Sequence, residues 1–220
     1  MKIKKKHLVL SVLFILPLFA YMFFASGVYN FAKLDTVQEK VLNSKSYPLV
    51  LKDSLITFEG KITILSFLGS DVKTKKAFAF NLKEKIYDKN KDFNDLQFVS
   101  LVAPNQSDEI RSFIDAIDYT SEADKWFFVE LEAQELESLF ESLKTDLELD
   151  ERHSTASVFI IDKNRNLRGR LEDEDGSIRY AYNMASVAEL SDEMKDDVNI
   201  ILAEYRLALK KYNKEKDDAE

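Results

Sequence analysis

Four short apolar runs, rich in β-branched and aromatic residues, recur along the chain, with polar or helix-periodic stretches between them. The first contains Ile62, Ile64, Leu65, Phe67 and Leu68 and ends at Gly69 and Ser70. Phe78, Leu82 and Ile86 then fall four apart, the spacing of one helix face. Residues 96–102 repeat the strand pattern. Residues 104–107 read as a loop, with Ser107 capping a helix over 108–119. Residues 126–129 (WFFV) form the third run and precede an acidic helix over 130–146, with Leu136, Leu139, Phe140, Leu143 and Leu147 facing inward. The fourth run, 157–161 (SVFII), turns at 162–166 into a short partner strand over 167–171. Residues 172–176 read as an exposed acidic turn, and Ser186 with Glu189 as a capping box. A last long helix buries Met194, Val198, Ile201, Leu202, Tyr205 and Leu209. Strands alternating with helices predict an α/β domain around a central sheet flanked by helices.

The first 47 residues follow a different pattern. Residues 1–6 (MKIKKK) are basic, and residues 7–32 contain no Lys, Arg, Asp or Glu. A span of about 20 apolar residues suffices to cross a membrane, so residues 1–29 are expected to be an N-terminal membrane anchor. Tyr21 and Tyr29 would sit at the outer interface, and Pro17 is tolerated within such a helix. A cleaved signal peptide, with Ala25, Ser26 and Gly27 at the cleavage site, is the alternative. Either reading keeps the lysines inside and places the domain outside the cytoplasm, on the periplasmic or extracytoplasmic side of the inner membrane. Phe31, Leu34, Val37, Val41 and Leu42 have helical spacing, which predicts a helical stalk over 30–47. Pro48 ends it, a domain occupies 48–212, and a charged tail 213–220.

Composition narrows the chemistry. The net charge is −8, and setting aside the four lysines of residues 1–6 leaves −12 for the rest, which disfavours nucleic-acid partners. The 220 residues include no cysteine. Disulfides, thiolate metal sites, Fe–S ligation and thiol–disulfide exchange are therefore all excluded. No Gly-rich phosphate loop, G-x-S-x-G or H-E-x-x-H occurs.

Four segments, taken in order, resemble the Sco/SenC proteins, thioredoxin-fold copper chaperones of cytochrome oxidase assembly. GKITILSF at residues 60–67 resembles the strand entering that family's active-site turn, and FVSLVAPN at 98–105 its second strand. KWFFV at 125–129 resembles the Trp-containing third strand, and RHSTASVFIIDKNRNLRGR at 152–170 the His-bearing segment. The resemblance covers about residues 48–212 and implies a thioredoxin-like fold held at a membrane. It also implies a site where the turn after the first strand meets His153. The family's two copper-binding cysteines fall on Asp71 and Lys75, while the third ligand is kept as His153.

Cu(I) prefers soft thiolates, which a carboxylate and an ammonium do not replace, so no copper or other cofactor is expected. Taken singly, Asp71 reads as a helix N-cap, Lys75 as a solvated first-turn lysine and His153 as a polar packing residue. The acidic run Glu172 to Asp175 lacks the spacing of a calcium loop. Two functions follow. One is a non-catalytic, membrane-anchored binding or assembly protein that contacts a respiratory-chain or copper-handling partner. The other is a residual metal-binding protein that uses His153, Asp71 and a nearby acid.

Overall fold

The computed structural model describes residues 13–19, 21–22, 33–118, 121–173 and 176–217, the side chains of 209–217 excepted. The chain divides into two units, residues 1–32 and 33–220. In the first, 13–19 and 21–22 are helical, with exposed apolar side chains such as Leu13, Phe14 and Phe19. The rest of the expected anchor, including residues 1–12 and 23–29, lies outside the described residues. No described helix is long and apolar enough to cross a membrane.

The second unit is built on strands β1 (Asp35–Gln38), β4 (Ile62–Gly69), β5 (Leu96–Val102), β6 (Trp126–Glu130), β7 (Ser157–Ile161) and β8 (Leu167–Gly169), in the order β1-β8-β7-β4-β5-β6. Strands β4, β5 and β6 are parallel, while β7, β8 and β1 add antiparallel. Strand β9 (Tyr182–Asn183) also pairs with β7, and β2 (Tyr47–Pro48) forms a separate ribbon with β3 (Leu55–Ile56). All positions of β4 and β5 are buried, as expected of central strands covered on both faces. Even-numbered side chains (Ile62, Ile64, Phe98, Ile160) face one apolar layer, and odd-numbered ones (Leu65, Phe67, Val99, Phe159) face the other.

Helices α1 (Val72–Leu82), α2 (Ser107–Ile117) and α4 (Lys195–Asp217) cover the first face. Helix α3 (Ala133–Glu141), with Val41, Leu42 and Phe58, covers the second. This is a mixed α/β thioredoxin-like fold with a helix-flanked central sheet. A buried polar chain crosses the parallel strands. Trp126 Nε1 donates to Ser100 Oγ at 2.9 Å, and the Ser100 hydroxyl lies 2.8 Å from that of Ser66.

Several expectations are corrected. Residues 33–47 do not form a helical stalk: β1 lies within them, and the second unit begins at Lys33, while residues 30–32 of the expected stalk lie outside the described residues. The apolar residues of this segment have the spacing of one helix face but serve opposite layers, Leu34 in one and Val41 and Leu42 in the other. The side chain of Arg168 donates to the carbonyls of Leu34 and Asp35 and holds this edge in place. Pro48 takes part in β2. Gln106, not Ser107, occupies the N-cap of α2. Helix α3 is shorter than expected, because Glu130 ends β6 and the chain leaves the helix after Glu141.

The acidic turn is not simply exposed. The Asp173 side chain is 5 % exposed and is gripped by Arg170 and Arg179. Those contacts belong to a larger clasp on the last helix. Asp197 accepts from both Nε and Nη2 of Arg170, and from the Tyr182 hydroxyl at 2.5 Å. Burial first, then the Asp197 carboxylate, pushes the Tyr182 hydroxyl far above its ordinary range. The Ser186 hydroxyl does accept from the Glu189 N–H, as the capping box requires. The Glu189 carboxylate instead accepts from the Asn183 N–H and from Arg179.

Candidate functional site

Strand β4 runs out into the turn that carries the site. Its register slips between Phe67 and Gly69, so the chain bends away from the sheet before α1 begins. Gly69 sits at φ +50, and a Cβ there would lie 2.0 Å from the Arg152 carbonyl oxygen and 2.6 Å from that of His153. Only a residue without a side chain lets the two segments meet. Ser70 N–H donates to the Arg152 carbonyl at 3.0 Å, and Thr155 N–H to that of Phe67 at 3.0 Å. The turn and the histidine segment, distant in sequence, are thus stitched together.

The histidine segment is shaped by Asp150. Its Oδ1 accepts from the N–H groups of Arg152 and Ser154, and its Oδ2 from the Ser154 hydroxyl at 2.8 Å. Burial opposes the charge on Asp150, but these donors outweigh it and hold its carboxyl below the ordinary range. His153 N–H donates to the Asp150 carbonyl, and His153 itself adopts φ 56, a left-handed conformation uncommon outside glycine.

At the centre lies Asp71, 8 % exposed. It holds the N-cap position of α1 but makes no side-chain capping bond. Instead its Oδ1 accepts from Arg152 Nη1 at 2.6 Å, and its Oδ2 lies 4.0 Å from Lys75 Nζ. Lys75 is not solvated as expected: its side chain is 12 % exposed, and its ammonium stands over the Phe78 ring. The His153 imidazole faces another neighbour, with Nε2 3.6 Å from Glu137 Oε1. The backbone therefore brings the turn and the histidine segment together, while the two Asp71 oxygens are engaged by cations and the imidazole lies against α3.

Arg152 is the residue that sequence reasoning passed over. Nothing local marks it, because its partner lies 81 positions away. The Asp150-x-x-x-Ser154 spacing was a readable sign of a side-chain-organised loop.

The donor set does not suit Cu(I). A carboxylate paired with a guanidinium and an ammonium offers no soft ligand, and the two cations repel a metal ion. Among the described residues, no group of three or more His, Asp or Glu side chains could hold a metal ion.

The sequence matches no family profile, and no curated protein matches it. Solved structures are similar to it over most of its length. Bacillus subtilis Sco1 (soluble domain) has a TM-score of 0.45 at 14% identity, covering 72% of this chain and 91% of its own. A putative protein disulfide isomerase from Bacteroides thetaiotaomicron has a TM-score of 0.49 at 14% identity, with coverages of 78% and 95%. For BsSco the TM-score is 0.54 at 14% identity, and the match covers 78% of this chain and 98% of that one. The thioredoxin-like fold of this protein is thus also that of BsSco, a member of the Sco family of cytochrome c oxidase assembly proteins.

Proposed function

We propose that this protein is a non-catalytic, Sco-like binding or assembly factor, anchored in the inner membrane with its domain on the extracytoplasmic side, and linked to the biogenesis of cytochrome oxidase. The reading is carried by one observation: the turn that the resemblance assigns to metal binding is filled by an internal ion cluster, Arg152–Asp71–Lys75. With no cysteine, the turn has no thiolate for copper and no group for disulfide exchange. What remains is a scaffold whose surface meets a partner. The link to oxidase assembly draws on the likeness to BsSco and on the four resembling segments. The setting at the membrane draws on the basic residues 2–6 beside an uncharged stretch. Residual metal binding by His153 with Asp71 is the weaker reading, because the Asp71 oxygens already face Arg152 and Lys75.

Competition against a Cu(I) chelator tests the proposal. The unaltered protein should leave the chelator loaded, and the double variant Asp71→Cys with Lys75→Cys should compete for the metal. Tight stoichiometric Cu(I) uptake by the unaltered protein would overturn the non-catalytic reading.

A further inference from the structure

The acidic stretch noted in the sequence takes no part in the ion cluster of the site. Helix α3 and the loop after it bring Glu137, Glu141, Glu148 and Glu151 to the rim of a groove of about 500 Å³ beside His153. All four side chains are exposed, and among the described residues none lies within ion-pair distance of a lysine or arginine; Glu137 alone faces an imidazole, that of His153 at 3.6 Å. The floor is apolar: Leu147 and Leu149 are half-buried there, next to the edge of Phe140. The wall is stiff, because Asp150 fixes the loop through three hydrogen bonds.

We infer that this groove docks a partner's peptide segment in which one aliphatic side chain is flanked by lysines or arginines. The inference deepens the binding role proposed above and rests on it. The aliphatic group covers Leu147 and Leu149 and releases their water. The flanking cations meet four carboxylates that are otherwise all but unpaired; exposed pairs of this kind set orientation and encounter rate more than affinity. A preformed wall lowers the ordering cost of binding. The same charge repels anionic partners, nucleic acid and acidic lipid alike.

Fluorescence anisotropy on the full-length protein tests the docking, with a labelled peptide probe holding one leucine between two pairs of lysines. Saturable binding is expected, weakening about fivefold in the double variant Glu141→Gln with Glu148→Gln. It should weaken about tenfold when serine replaces the probe's leucine. Leu147→Ser in the protein should lower affinity in the same direction. Absence of saturation up to about 1 mM, or equal affinities for both probes or for protein and charge variant, would overturn the inference. The substituted side chains are exposed or half-buried rim and floor groups, so a circular dichroism spectrum matching the parent confirms that loss of binding is not loss of fold. The outcome is separable from the copper competition: peptide binding alongside Cu(I) uptake would leave the groove standing and remove the non-catalytic reading. No peptide binding with no Cu(I) uptake would do the reverse.

Discussion

At the scale of single residues, the site depends on what is missing as much as on what is present. Gly69 has no side chain, and the carbonyls of Arg152 and His153 occupy the space where one would be. Gly69→Ala must push two backbone segments apart and hold alanine at φ +50. A loss of about 3 kcal/mol in urea unfolding is expected. A variant as stable as the parent would show that the contact of turn and histidine segment is dispensable. Asp71 illustrates how position and role separate. It stands where a capping residue belongs, yet its carboxylate turns to Arg152 because that cation approaches from another segment at 2.6 Å. An ion pair to a guanidinium that is itself 61 % exposed adds little to stability. Its consequence is chemical: it occupies the Asp71 carboxylate and leaves the turn without a free anionic ligand.

Among the elements, the parallel strands are joined on the face under α1, α2 and α4 by hydroxyls as well as by backbone. Trp126 on β6 donates to Ser100 on β5, which meets Ser66 on β4. The two serines are not equivalent. Ser100→Ala strands the buried Trp126 N–H and should cost about 2 kcal/mol, whereas Ser66→Ala leaves Ser100 partnered and should cost about 1 kcal/mol or less. Chemical denaturation of both variants checks the order, and a larger loss at Ser66 would refute this ranking. The strands were legible in sequence because buried parallel strands are continuous apolar runs. The β1 edge was not. Its four residues, Asp35–Gln38, hold a single apolar side chain, Val37, which falls in helical spacing with its neighbours, and their place is fixed by pairing with β8 and by Arg168 reaching the carbonyls at its start.

Across the whole molecule, charge pairs set the response to pH. The Asp95 carboxyl is held below its ordinary range first by the Lys163 hydrogen bond, and that of Glu135 first by Lys45. Asp88 and Asp150 are opposed by burial, but their hydrogen bonds prevail and hold both low as well. An acid lowered in the folded state contributes stability above its unfolded value and loses it as pH falls through the folded one. Glu193 runs the other way: burial first raises its carboxyl, so its contribution is present at low pH and lost as pH rises. With four groups lowered against this one, thermal stability should fall as pH drops below about 4. Melting curves between pH 3 and 7 check this, and a constant Tm over that range would contradict it.

By itself the sequence determined the strand–helix order, the apolar faces of the central strands and the absence of thiol chemistry, because periodicity and residue type are local properties. The resemblance to the Sco/SenC proteins, beyond those local properties, marked Asp71, Lys75 and His153 as the positions to inspect. Tertiary structure alone decided what those residues do. It set Arg152 against Asp71 across 81 positions, turned His153 toward Glu137, and gathered the acids of α3 and its loop around an apolar floor. Such contacts join segments that share no local signal, since the partner of a charge is chosen by where the folded backbone delivers it.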